Sequence, residues 1–153
     1  MELKTQVHAE DGKQELTITR QFDLPLELLF KAYMEPEIVE QWMGTKVLKL
    51  ENKSHGSYRF ETTDPMGNKH LFHGTIHEFE LNTKFTRTFE MENTPFPVQL
   101  EFFEFERLGE NSSKLIMHVI YKSLEVRNQI LQLPFKQGIN MAHNRIQEYF
   151  TKS

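Results

Sequence analysis

From residue 45 to residue 122 the chain is a succession of short strand-like runs broken by tight turns, and this constrains its fold more than any other feature. The runs cover 46–50, 57–62, 69–79, 84–91, 98–107 and 114–122. In the second run Tyr58 and Phe60 alternate with Arg59 and Glu61, the period-two pattern of a strand with one buried face. The segments Asp64-Pro65-Met66-Gly67-Asn68 and Gly109-Glu110-Asn111-Ser112-Ser113 have the composition of turns, because Pro, Gly, Asn and Asp take the backbone angles that turns require. Parallel neighbours need long crossovers, so strands joined this closely pair antiparallel. A further strand over 15–22 precedes them, giving about seven in all.

Helical patterns occur only at the two flanks of this run. Asp23 before Leu24-Pro25 predicts a capped helix start. Residues 26–34 then place Leu29, Ala32 and Tyr33 on one stripe; Pro36 interrupts them, and a second short helix over 37–42 ends at Gly44. The tail from 125 to 150 is helical, bent or broken at Pro134. Beyond that point Phe135, Ile139, Ala142, Ile146 and Tyr149 or Phe150 recur at three-to-four spacing, with Lys136, Asn140, Asn144 and Glu148 opposite. A single sheet must bury one face, and the long tail helix is the only element large enough to cover it. The expected fold is α+β: a curved antiparallel sheet around a long C-terminal helix, two short helices after the first strand, and a hydrophobic pocket between sheet and helix.

The length of 153 residues fits one domain, 1–153, with an ordered core over about 14–150. Cysteine is absent, which excludes disulfides and thiolate chemistry and is compatible with a cytoplasmic location. Residues 1–13 are polar and lack a signal peptide's apolar run. No stretch approaches the roughly 20 apolar residues that cross a bilayer, so membrane insertion is not expected. The net charge is −4 and the basic residues are scattered singly, a poor footprint for nucleic acid or an anionic membrane surface. Phenylalanine is abundant, 13 residues, which implies either an aromatic core or a cavity lined with rings.

The stretch from Asp23 to Gly44, with Pro25, Phe30, Tyr33, Pro36 and Trp42, resembles the opening of the family named for the activator of heat-shock-protein-90 ATPase, in its C-terminal-domain-like form. His55-Gly56-Ser57-Tyr58-Arg59-Phe60, the Asp64-Pro65-Met66-Gly67 turn, Gly74, the 113–117 segment and the closing helix resemble its later landmarks, so the likeness runs over about 16–150. The resemblance implies the helix-grip fold of the SRPBCC superfamily, shared with START lipid-transfer domains, the birch pollen allergen and polyketide cyclases. That superfamily membership implies a deep pocket for a hydrophobic small molecule, and the family name implies an association with stress response. Three positions depart from the family pattern: Met43 stands where a second Trp is usual, Ser57 replaces a Gly, and Arg87 stands where an apolar residue is usual. The true chaperone activators carry an additional N-terminal domain, so a chaperone partner is not expected here.

Strand alternation and the helix stripe nominate the pocket walls: Trp42, Tyr58, Phe60, Phe72, Ile76, Phe85, Phe103, Met117, Phe135, Ile139 and Ala142. Arg87 shares a strand face with Phe85 and Phe89, and counting outward from the turn near Thr94 sets it opposite or nearly opposite Glu101. Arg87 is then either an anchor for an anionic or carbonyl ligand end or half of a structural pair with Glu101. In the run 114–122, Leu115, Met117, Val119 and Tyr121 share one face. The other face carries Ile116, His118 and Ile120 and points weakly to a homodimer unless the chain's own loops cover it.

Metal and catalytic constellations are not found. His73 and His77 share a strand face but stand about 13 Å apart at roughly 3.3 Å per residue, too far for one ion, and His70 faces the other way. No nucleophile motif or phosphate loop is present, so no cofactor and no catalytic residue are assigned. The leading expectation is a module that binds a lipid-, polyketide- or flavonoid-like molecule. The alternatives are a cyclase or hydrolase using Arg87, Glu101 and His118, or a co-chaperone acting through its outer surface.

Overall fold

The computed structural model describes residues 3–151. Its elements run β1 (Gln6–His8), β2 (Glu15–Phe22), α1 (Leu26–Met34), α2 (Pro36–Met43), β3 (Lys46–Leu50), β4 (Ser57–Thr63), β5 (Lys69–Glu80), β6 (Lys84–Met91), β7 (Gln99–Gly109), β8 (Ser112–Ile120), α3 (Leu124–Gln132) and α4 (Phe135–Thr151). The strands form one curved antiparallel sheet in the order β1-β2-β8-β7-β6-β5-β4-β3. From β3 to β8 each strand pairs with the next in sequence; β2 instead crosses to pair with β8, Glu15 opposite Ile120 and Phe22 opposite Ser113.

Eight strands are present where about seven are expected. The extra one, β1, precedes the predicted core boundary near residue 14. It is three residues long and gives little periodicity to read. Tertiary contacts hold it: Gln6 pairs with Thr19, and the Thr5 backbone N–H donates to Asn140 Oδ1 on α4 at 2.9 Å. Asn140 is therefore not on a solvated face, as its place opposite the apolar stripe suggests. Asp23 does not cap α1 either. Pro25 is the N-cap, without a side-chain hydrogen bond, and its carbonyl accepts from Leu28 and Leu29.

Alternation places the inward side chains. On β2, Leu16, Ile18 and Phe22 are buried; on β8, Leu115, Met117 and Val119 are buried while Ile116, His118 and Ile120 stay half-buried on the outer face. Burying each large apolar side chain contributes about 1.5–3 kcal/mol. The long helix does not cover the sheet alone. Phe30 of α1 packs edge-on against Phe105, with ring centroids 4.9 Å apart, and against Phe79 and Phe85. Helix α4 lies beside α2, tied to it by Arg145 Nε donating to the Trp42 carbonyl at 2.7 Å. The α1 end is thus filled by rings, and α4 closes over the remainder of the same face. Among the described residues no helix is long and apolar enough to cross a membrane.

Candidate functional site

Between α4 and strands β6 to β8 lies a cavity of about 240 Å³, lined by Tyr33, Trp42, Met43, Arg87, Phe89, Glu101, Phe103, Met117, Ile139, Ala142, His143 and Arg145. Each lining residue follows from a local rule. Phe103 and Met117 are opposite each other in the β7–β8 ladder, and Arg87 is opposite Glu101 in β6–β7. Ile139, Ala142 and His143 fall within one turn and a half of α4 and so share a face. Trp42 is fixed by its indole N–H, which donates to the Ala32 carbonyl at 2.7 Å, and by an edge-on contact with Tyr33.

Seven of the thirteen residues nominated from the sequence line this cavity: Trp42, Arg87, Glu101, Phe103, Met117, Ile139 and Ala142. Six do not. Tyr58, Phe60 and Ile76 are buried with Val39 of α2 in a second apolar cluster, because that part of the sheet faces α2 rather than α4. Phe72 stacks on Phe89. Phe85 lies against Phe103, with ring centroids 4.4 Å apart. Phe135 packs on the main core at the start of α4. Most of the phenylalanine excess therefore builds core.

Arg87 stands at the boundary between cavity and second cluster. Its guanidinium carbon is 4.8 Å from the Phe103 ring centroid and 4.9 Å from that of Tyr58. Its Nε–H donates to Glu101 Oε1 at 2.8 Å, with side-chain exposures of only 13% and 6%. Gln99 Nε2 donates to the other carboxylate oxygen at 2.7 Å. Burial opposes the Arg87 charge, but the Tyr58 oxygen and the Glu101 carboxylate outweigh it and hold the guanidinium above its ordinary range. The terminal nitrogens of Arg87 have no hydrogen-bond acceptor among the described residues. The hydroxyl of Tyr33, a largely buried residue, has no protein partner there either. Burial pushes that phenol well above its usual range, so it remains an O–H group. Tyr58 is satisfied by contrast, its hydroxyl donating to the Thr88 carbonyl at 2.5 Å. Gly74 makes this possible, since a Cβ there would meet the Thr88 oxygen at 1.9 Å.

His143 is the polar lining residue that the sequence reading treats only as a lone histidine on the last helix and does not nominate for the cavity. It is buried, its Nδ1 is 2.6 Å from the Thr5 hydroxyl, and its ring meets Phe22 edge-on. Burial, with the positive charge of Arg20, drives its pKa down to about 3, so the imidazole is neutral at pH 7. Its position four residues after Ile139 on the apolar stripe was the available signal. Met43 and Phe89 were likewise signalled, one as a departure from the family pattern and the other as a face neighbour of Arg87. Arg145 gave no signal.

His118 does not join Arg87 and Glu101. It points to the outer face, where its ring stacks on Phe102 and its Nε2 is 3.4 Å from Glu15. His70 meets Asp64, and His73 meets Glu90 and Glu92. Among the described residues no three His, Asp or Glu gather as a metal-binding group.

A family model described as activator of Hsp90 ATPase homolog 1-like protein matches residues 23–151. No curated protein matches the chain. Solved structures share its fold. Protein Ms6760 from Mycobacterium smegmatis superposes with a TM-score of 0.87 at 21% identity, covering 99% of both chains. A Rhodobacter sphaeroides protein gives 0.88 at 17% identity, covering 98% of this chain and 99% of its own. An Arthrobacter aurescens protein gives 0.86 at 16%, covering 97% and 92%.

Proposed function

The chain belongs to the activator of Hsp90 ATPase homolog 1-like family, a helix-grip ligand-binding scaffold, and on that premise we propose that it binds a small hydrophobic molecule between α4 and the sheet. One observation carries this reading: an apolar-walled cavity holding unused hydrogen-bond donors, the Arg87 terminal nitrogens and the Tyr33 hydroxyl. Ligand sites combine mostly apolar walls with a few polar groups that fix orientation.

Volume narrows the guest. A cavity of about 150 Å³ holds benzene, whereas drug-sized ligands occupy roughly 300–1,000 Å³. At about 240 Å³ the space suits a molecule of one or two rings or a short acyl chain. A whole flavonoid, a polyketide or a long-chain lipid would extend beyond this space through its open side. The cysteine-free sequence is compatible with this binding taking place in a reducing cytoplasm.

The test is an NMR shift map over a library of lipids and small aromatic molecules. Binders are expected to shift Trp42, Met117, Ile139 and Ala142 together. Ile139→Trp should fill the space and weaken binding at least tenfold while the domain stays folded. A folded Ile139→Trp protein with unchanged affinity, or shifts confined to the outer sheet face, would place the site elsewhere.

A further inference from the structure

The buried ion pair bears on the charge of the guest, an inference that rests on reading the cavity as a ligand site. Both Glu101 oxygens are engaged, one by Arg87 Nε and the other by Gln99, so the Arg87–Glu101 unit carries no net charge. Its remaining capacity is purely that of a donor, the Arg87 terminal N–H groups; Tyr33, which lines the same cavity, adds a hydroxyl without a partner among the described residues. The other cavity groups add little charge at depth. His143 is neutral, its ring tied to Thr5. Arg145 is exposed to solvent, where water and salt screen it.

A carboxylate placed on the Arg87 nitrogens would share one guanidinium with Glu101. Two anions and one cation would then lie in a space with apolar walls, where like charges repel more strongly than in water. A neutral oxygen accepts the same N–H groups without that repulsion, and it loses less hydration on entering than an ion does.

We propose that the inner end of the cavity selects a neutral oxygen acceptor, such as a ketone, ester, amide or phenol on a compact apolar body, over a carboxylate of the same shape. Glu101 is the specificity-determining residue. It gives up none of its own oxygens to the guest; it removes the net positive charge that would otherwise make Arg87 a carboxylate receptor.

The experiment compares 2-acetylnaphthalene with 2-naphthoate, which differ by a methyl group in place of the anionic oxygen, by calorimetry at pH 7.5 with parallel NMR shifts. The wild-type protein should bind the ketone at least tenfold more tightly, and 0.5 M NaCl should not shrink that ratio, because it weakens only what Arg145 offers an anion. Glu101→Gln keeps the side-chain shape, with its carbonyl oxygen accepting from Arg87 Nε and the Gln99 amide turning over to accept from its NH2; it frees the Arg87 charge, and should reduce the ratio at least fivefold by strengthening naphthoate. The wild-type comparison stands by itself if that variant does not fold. Occupancy of the cavity with naphthoate preferred, or an unchanged ratio in a folded Glu101→Gln protein, overturns the selection and leaves the ligand reading intact. No shift at Ile139 or Ala142 with either compound overturns both.

Discussion

Two Arg–Glu pairs on this sheet differ in a way that geometry alone misjudges. On the outer side, Arg59 of β4 grips Glu92 with two nitrogens, Nε and Nη2, each 3.1 Å from a separate carboxylate oxygen. On the inner side, Arg87 meets Glu101 through Nε alone. The outer pair is the better formed, yet its arginine is 47% exposed, and exposed pairs contribute little because water serves the separated charges almost as well. The inner pair is desolvated, so neither partner can lose the other cheaply. The outer fork is closed on itself, whereas the inner one leaves the terminal nitrogens of Arg87, a cavity-lining residue, without an acceptor among the described residues. Fewer bonds within the pair leave more for the proposed guest.

Removing one inner partner is the most forceful way to break this comparison. Arg87→Met leaves Glu101 buried with only Gln99 for company, and should cost about 3–5 kcal/mol in urea unfolding. A loss no greater than that of Arg59→Met would show that burial does not separate the two pairs.

The same contrast recurs in two histidines. His73 lies partly exposed between Glu90 and Glu92, while His143 is buried, with a pKa near 3 against 6.5 for an ordinary imidazole. Between those values the unfolded chain binds a proton that the folded chain refuses. Stability is therefore complete above about pH 6.5 and falls as the pH drops toward 3, with a slope of up to about 1.4 kcal/mol per pH unit. His143→Gln should flatten that part of the stability profile, and an unchanged slope would assign the acid sensitivity to other groups.

Replacing both inner partners sharpens the point. Arg87→Met with Glu101→Leu removes the stranded acid, and should return stability to within about 1.5 kcal/mol of the parent, while the preference of the cavity for oxygen acceptors disappears. Recovery of stability with the preference retained would move the polar recognition to Tyr33 alone. The smallest effect is expected at the surface. Arg59→Met should leave the melting temperature nearly unchanged, and any shift should vanish in 1 M salt. A large shift there would mean that the outer network with His73 acts cooperatively.

Much of the sheet was legible because its cause is local. Period-two alternation and turn chemistry placed β2 and the strands from β3 to β8 close to their observed bounds, and the count outward from Thr94 paired Arg87 with Glu101 correctly. What escaped was fixed by distant contacts. Strand β1 has three residues, and its reason to exist lies some 135 positions away at Asn140. For the cavity, alternation tells which side of the sheet a residue faces but not how far along the sheet the helix reaches. Tyr58, Phe60 and Ile76 face inward, as nominated, yet they meet α2 and not α4. His143 was not nominated for the cavity because an isolated histidine on a helix has no partner in its own neighbourhood; Thr5 is supplied only by the fold.

The crossing of β2 to β8 has a consequence for synthesis. Each residue of β2 pairs with one some 90 to 105 positions later, and ribosomes add about 5–20 residues per second. A nascent chain therefore carries Leu16, Ile18 and Phe22 on a strand that lacks its β8 partner for roughly 5–20 s at that rate, while the meander from β3 to β7 can already assemble. For that interval an apolar segment with its β8-facing hydrogen-bonding edge open, β1 being able to cover only part of the other, is available to holding chaperones, or to the same segment on a neighbouring polysome-bound chain, before the last strand of the sheet arrives to occupy it.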